Sequence, residues 1–127
     1  MQISFDNGLL FTSIQLKYKG KIHVIDNVVI DTGAARSLLS ADAVESIDIR
    51  FENDDKIVTM YGIGGEEHAF EKNIDEIRLG DTTICNYDIH FGTIDPDGEI
   101  NGLLGLDLLM KAELMIDFKN LLISKVL

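Results

Sequence analysis

An apolar run that delivers an acidic residue straight into a tight turn occurs once in the 127-residue chain: Val28-Val29-Ile30-Asp31-Thr32-Gly33-Ala34. The three β-branched residues read as a buried strand, and Gly33 lets the chain reverse with its backbone open to whatever docks there. A carboxylate is thereby carried at the end of a rigid element. Asp and Thr also bond local amides wherever a strand simply ends, so taken alone the tripeptide fits a strand-ending turn as well as a reactive one.

The bulk of the chain narrows the setting. A length of 127 residues with one Pro indicates a single domain, 1–127, without a linker. Met1-Gln2-Ile3-Ser4-Phe5-Asp6 has neither a basic region nor a sustained apolar stretch, so no signal peptide is expected, and no run is long enough to span a membrane. One cysteine, Cys85, cannot form an internal disulfide; this fits a reducing, cytoplasmic location and a core thiol. A net charge of −11 disfavours phosphate backbones and anionic lipid, so neither nucleic acid nor membrane is expected as a partner.

Patterning predicts a mainly β domain with one or two short helices. Leu9 to Tyr18 alternates and turns at Lys19-Gly20 into a return strand, Lys21 to Ile30, that runs into Asp31. Ser37 to Ser40 stays extended, with Ser40 capping a short helix. Lys56 to Tyr61 and Glu66 to Phe70 read as a hairpin whose tip, Gly62-Ile63-Gly64-Gly65, is built to open and close. Separate strands follow at Ile74 to Leu79 and Thr82 to Phe91, then a turn at Asp95-Pro96-Asp97-Gly98. A short helix over Leu106 to Lys111 and a closing hairpin, Leu114 to Phe118 with Leu121 to Ile123, complete the chain.

Other chemistries find little support. Gly62-Ile63-Gly64-Gly65 lacks the Lys of a phosphate loop and is followed by Glu66 and Glu67, which repel phosphate. Asp95 to Glu99 stops short of a calcium-loop ligand series. His23, His68 and His90 have no metal-ligand spacing, so no metal and no other cofactor is expected. Cys85 has no local partner that would make it a nucleophile, and no Gly-x-Ser-x-Gly occurs.

The order of features, an apolar strand into Asp31-Thr32-Gly33-Ala34, a Gly-rich hairpin, then Leu103-Leu104-Gly105 entering a short helix and a final hairpin, resembles the retropepsins, the single-domain aspartic proteases of retroviruses and their cellular relatives. Gly105-Leu106-Asp107-Leu108-Leu109 looks like the Gly-Leu-Asp-(Met/Leu)-Leu segment in the retropepsin-like domain of eukaryotic DNA-damage-inducible proteins. The resemblance implies a closed β-barrel in which Asp31, Thr32 and Gly33 form the catalytic turn and the hairpin from Tyr61 to Glu66 is a flap. Retroviral members usually carry an acidic residue after Asp-Thr-Gly-Ala and an Arg after the late Gly. Here Ala35 and Leu106 stand in those places, so that ion pair is absent.

Aspartic proteases use two carboxylates sharing a proton, one activating water while the other protonates the developing oxyanion or leaving group. Like charges a few Å apart cannot both ionise easily, which pushes the two pKa values apart. A chain with one Asp-Thr-Gly supplies half of such a site, so the resemblance implies a homodimer with its twofold axis between two copies of Asp31. Thr32 would bond across that axis and Gly33 would leave room for a peptide substrate. Ala34, Tyr61, Ile63, Gly64 and Gly65 would contact it. The competing reading is a catalytically silent retropepsin-like module that binds peptide or mediates dimerisation.

Overall fold

A computed structural model describes residues 1–62, 65–95 and 97–127, with backbone alone at 61, 62 and 65–67. In chain order its elements are β1 (Ser4–Asp6), β2 (Leu9–Tyr18), β3 (Lys21–Ile30), β4 (Leu38–Ser40), a 3₁₀ helix (Asp42–Ile47), β5 (Ile57–Gly62), β6 (Gly65–Leu79), β7 (Thr82–Gly92), β8 (Gly102–Leu104), α1 (Leu106–Lys111), β9 (Leu114–Asp117) and β10 (Leu122–Lys125). The first eight strands form one sheet in the order β1-β2-β3-β8-β4-β7-β6-β5, and β2 also pairs with β6. That extra pairing bends the sheet into a ring of β2, β3, β8, β4, β7 and β6. The mainly β, ringed architecture expected from the sequence is what the chain adopts.

Local chemistry accounts for the turns. Asn7 (φ 51°) and Gly8 (φ 81°) join β1 to β2, and Lys19 (φ 49°) and Gly20 (φ 83°) join β2 to β3, both with the two positive φ values of a two-residue hairpin. Along β2 the alternation is regular, with Thr12, Ile14, Leu16 and Tyr18 turned inward. β3 does not alternate throughout. Thr12 pairs with Val28 but Ile14 with Ile25, so β3 carries one extra residue, and Asn27 takes up the bulge at φ 57°. Asn101 pins this bulge, its side-chain amide donating to Asp26 O at 2.9 Å and its N–H to Asn27 O at 2.9 Å. As a result Ile25 and Val28, three apart, both enter the core.

β6 corrects one expectation. The two strands predicted at Glu66 to Phe70 and Ile74 to Leu79 are a single strand, paired with β5 along its first part and with β7 from Ala69 to Leu79. Polar Glu71-Lys72-Asn73 suggests a break, but Lys72 is buried with its Nζ 2.7 Å from Glu52 Oε1 and 2.8 Å from Asp55 Oδ2. A paired cation is tolerated inside a strand where an unpaired one is not. Cys85 is a second correction: it is exposed, because it lies on the face of β7 opposite Ile84.

The helix after β4 is a 3₁₀ helix whose N-cap is Ala41, one residue beyond the Ser40 expected there, although Ser40 Oγ does accept the Ala43 N–H at 3.3 Å. The core joins Leu16, Ile25, Val28, Ile77, Phe91 and Leu108. β9 and β10 form a separate antiparallel hairpin. The edge of β10 is occupied within the chain, since Ile3 N–H donates to Leu121 O at 3.0 Å and Ile123 N–H to Met1 O at 2.8 Å. Met115, Phe118, Leu122 and Val126 remain exposed.

Candidate active site

Asp31 continues the β3 ladder by donating its N–H to Leu104 O of β8 at 2.9 Å. The chain then turns. Ala34 N–H donates to Asp31 O at 3.1 Å, and Gly33 N–H donates to Asp31 Oδ1 at 3.0 Å. The carboxylate is thus oriented by its own turn and half-buried, while Thr32 and Gly33 are exposed. Gly33 does not have positive φ; its role is space, since a Cβ there would lie 3.2 Å from Asp31 Oδ1.

Which way Asp31 points follows from the bulge in β3. With Val28 in the core, alternation puts Val29 on the other face, Ile30 against the core and Asp31 again with Val29. Register extends this second face across the sheet: Val29 pairs with Leu103 of β8, Leu103 with Leu38 of β4, Leu38 with His90 of β7, and His90 with Glu71 of β6. Asp31 therefore shares a face with a row that begins apolar and ends in His90 and Glu71.

The loop after the turn is clamped to the start of α1. Leu106 N–H donates to Ala34 O at 2.8 Å and Asp107 N–H to Ala35 O at 3.2 Å. Asp107 Oδ1 accepts from Ser37 N–H at 2.9 Å, Ser37 Oγ at 2.6 Å and Leu108 N–H at 2.8 Å. Ser37 Oγ in turn accepts the Gly105 N–H at 2.9 Å. Gly105 cannot be larger, because a Cβ would come within 2.7 Å of Ala34 O. Tyr87 reaches Asp107 Oδ2 at 3.5 Å; burial pushes its phenol pKa up, and the Asp107 charge adds to this.

Arg36 stands beside this clamp, its Nε 3.8 Å from Asp107 Oδ2 and its Nη2 3.4 Å from His90 Nε2. His90 Nε2 is also 3.1 Å from Glu71 Oε2. The pair absent at Ala35 and Leu106 is thus replaced, one residue further along at each end and with opposite polarity, by Arg36 and Asp107. Sequence reading misses Ser37, Arg36, Tyr87 and Asp107 as a unit. Its one available signal is that Asp107 is an acid directly after the Leu-Leu-Gly-Leu run.

Tyr61 and Gly65 lie in the β5/β6 hairpin, where Tyr61 pairs with Glu66 and Gly62 with Gly65. Ile63 and Gly64 fall outside the described residues, as does Pro96. Neither a concavity of about 820 Å³ bounded by Ser4, Asp6, Phe11 and Asp26, nor a groove of about 330 Å³ between Phe51, Ile57 and Phe70, has Asp31 in its lining. Among the described residues, no cluster of His, Cys, Asp or Glu is arranged to hold a metal, and no helix is long and apolar enough to cross a membrane.

Residues 14–108 match the model of a family described as aspartyl protease. The chain belongs to the aspartyl protease family. Its fold within that family is retropepsin-like: the crystal structure of a retropepsin-like aspartic protease from Rickettsia conorii superposes with a TM-score of 0.67 at 23% identity, covering 96% of this chain and 86% of that one. A polyprotein of Cassava vein mosaic virus is 31% identical over 98 residues, which take in 72% of this chain and 7% of the polyprotein. The matched part of that relative is thus a small fraction of its length.

Proposed function

We propose that this protein is an aspartic endopeptidase that hydrolyses extended peptide segments with a two-Asp dyad assembled across a homodimer. The observation that carries the reading is Asp31. It is the acid of the chain's single Asp-Thr-Gly, half-buried, oriented by the Gly33 amide, and held at a strand end by a backbone bond to Leu104. Membership of the aspartyl protease family supports assigning it the chemistry.

In the proposed mechanism the two Asp31 carboxylates share one proton. The ionised partner takes a proton from water as it attacks the scissile carbonyl, and the protonated partner donates its own to the forming oxyanion. As the C–N bond breaks, the first partner passes the proton it took to the leaving amine and the second recovers one from the gem-diol hydroxyl, which restores the shared-proton dyad. Thr32 of each copy bonds across the axis, and Gly33 admits the substrate backbone. Ala34 borders the peptide. The β5/β6 hairpin serves as a flap, with Tyr61, Ile63, Gly64 and Gly65 contacting the substrate, which adds as an extended strand. The exposed side chains of Met115, Phe118 and Leu122 support a dimer face on the β9/β10 hairpin.

Purified protein incubated with a diverse peptide library, with pepstatin-type inhibition and Asp31→Asn as controls, tests the reading. Inhibitable cleavage that disappears in Asp31→Asn is the expected result. Cleavage by the variant at the wild-type rate overturns it.

A further inference from the structure

The sheet face that carries Asp31 runs through Leu103 and Leu38 to His90 and Glu71, and Arg36 reaches that end of the row. A peptide docked over Asp31 along this face would pass from apolar surface to a charged cluster. The state of the guanidinium there is unusual. Among the described residues Arg36 has two partners, Asp107 and His90, and its side chain is 48% exposed.

Neither partner uses its donors fully. Asp107 Oδ1 already accepts two bonds from Ser37 and one from Leu108, and Arg36 Nε is 3.8 Å from Oδ2, beyond hydrogen-bond range. Asp107 therefore fixes where the positive charge sits without binding the fork. His90 Nε2 lies closer to Glu71 Oε2, at 3.1 Å, than to Arg36 Nη2, at 3.4 Å. An imidazole nitrogen that donates its proton to Glu71 has no lone pair to offer Arg36. The guanidinium is thus held in place from behind, with several of its five N–H donors turned to solvent five residues after Asp31.

We propose that Arg36 is a specificity-determining residue that receives an acidic side chain of the substrate close to the scissile bond. The proposal rests on the proteolytic reading above and names its substrate class: extended, mainly apolar peptides carrying one Glu or Asp at the position that meets Arg36. A planar fork pairs with a carboxylate through two parallel bonds, which an isosteric amide cannot match in charge. In a chain of net charge −11, a fixed cation at this place offsets the repulsion that an acidic substrate meets elsewhere.

The test is a scan at fixed pH. A peptide cut by the wild-type protein has each residue flanking its scissile bond replaced in turn by Glu and by Gln. At one position Glu is expected to exceed Gln in kcat/KM by about 10- to 100-fold, the scale of a charge-assisted hydrogen bond. Arg36→Met brings that ratio close to one, Arg36→Lys retains part of it, and Arg36→Glu favours Lys at the same position. A ratio near one at every position in the wild type, or a ratio unmoved by Arg36→Met, overturns the proposal. Binding separates this failure from failure of the proteolytic reading. Should the wild type cut nothing, fluorescein-labelled apolar peptides bearing Glu or Gln are titrated by anisotropy onto Asp31→Asn protein. A Glu preference in Kd that Arg36→Met abolishes on that background upholds the role of Arg36, and equal Kd values overturn it.

Discussion

Asp107 accepts the hydroxyl of Ser37 at 2.6 Å across 70 residues of chain, and through that bond the first turn of α1 holds the loop that follows Asp31. Because Ser37 Oγ simultaneously accepts the buried Gly105 N–H, the three groups act together. Ser37→Ala is expected to lower stability by about 1–3 kcal/mol, the cost of orphaning buried polar groups. Asp107→Ala should cost at least as much, and the double variant clearly less than the sum of the two. Urea denaturation of the four proteins checks this.

Asp31→Asn is expected to abolish peptide hydrolysis while leaving the fold intact. The amide can still accept the Gly33 N–H through its oxygen, but it cannot exchange a proton as the dyad requires. Circular dichroism and thermal unfolding should match the wild type, with cleavage of the library peptides lost.

Leu122→Asp places a charge among the exposed apolar side chains of the β9/β10 hairpin. Sedimentation velocity should show the wild type passing from dimer to monomer on dilution and the variant as monomer throughout, without hydrolysis. An active monomer would contradict the two-chain dyad.

Gly102 and Gly105 separate two kinds of crowding. A Cβ at Gly102 would meet the far end of the Leu39 side chain at 2.6 Å, whereas at Gly105 it would meet Ala34 O at 2.7 Å and the Arg36 carbonyl carbon at 2.9 Å. Side chains re-pack more cheaply than backbone moves. Gly105→Ala should therefore cost more stability than Gly102→Ala, with overpacking penalties of about 1–3 kcal/mol as the scale, and it alone should also depress hydrolysis by shifting the loop after Asp31. Thermal unfolding and peptide cleavage of the two variants check the order.

The buried cation sets a pH window for stability. Glu52 is held below the usual carboxylate range by its hydrogen bond from Lys72, and Asp55, although burial pushes it up, is also held low by Lys72 and the Glu52 amide. Burial lowers the Lys72 pKa, but its bonds to Asp55 and Glu52 raise it above its ordinary value on balance. Lowered carboxylates stabilise the fold above their unfolded pKa of roughly 4, and this is lost as pH falls through the folded values. A raised lysine stabilises fully below its unfolded value of roughly 10.4, and this is lost as pH rises through the folded one. Lys72→Met should flatten both limbs of a plot of melting temperature against pH.

Much of the scaffold is legible in the sequence because it is local. Lys19-Gly20 marks a hairpin by residue chemistry alone. Asn7-Gly8 carries an equally strong hairpin signal for β1, masked by the apolar Leu9-Leu10-Phe11 beside it. Length misleads at β6, where Lys72 reads as the end of a strand that Glu52 and Asp55 allow to continue. The site divides along the same line. Asp31 announces itself through its neighbours in sequence, whereas Arg36, Ser37, Tyr87, His90 and Asp107 meet only because β4 lies between β7 and β8. Long-range pairing of this kind leaves no periodicity to read.

The extra residue in β3 has a consequence for how such chains vary. Strand direction is a matter of parity: threaded as a regular ladder without the bulge, the same residues would exchange inside for outside at Val28 and every later residue of the strand. Straightening the bulge without losing a residue would leave Asp31-Thr32-Gly33 fully readable as a motif while turning its carboxylate toward the core, whereas removing Asn27 restores the alternation with Val28 inside and Asp31 on its present face. Substitutions between Ile25 and Val28 that abolish the bulge while keeping the residue count therefore reach the Asp31 turn from a distance, and a family member could be silenced there without altering a single signature letter.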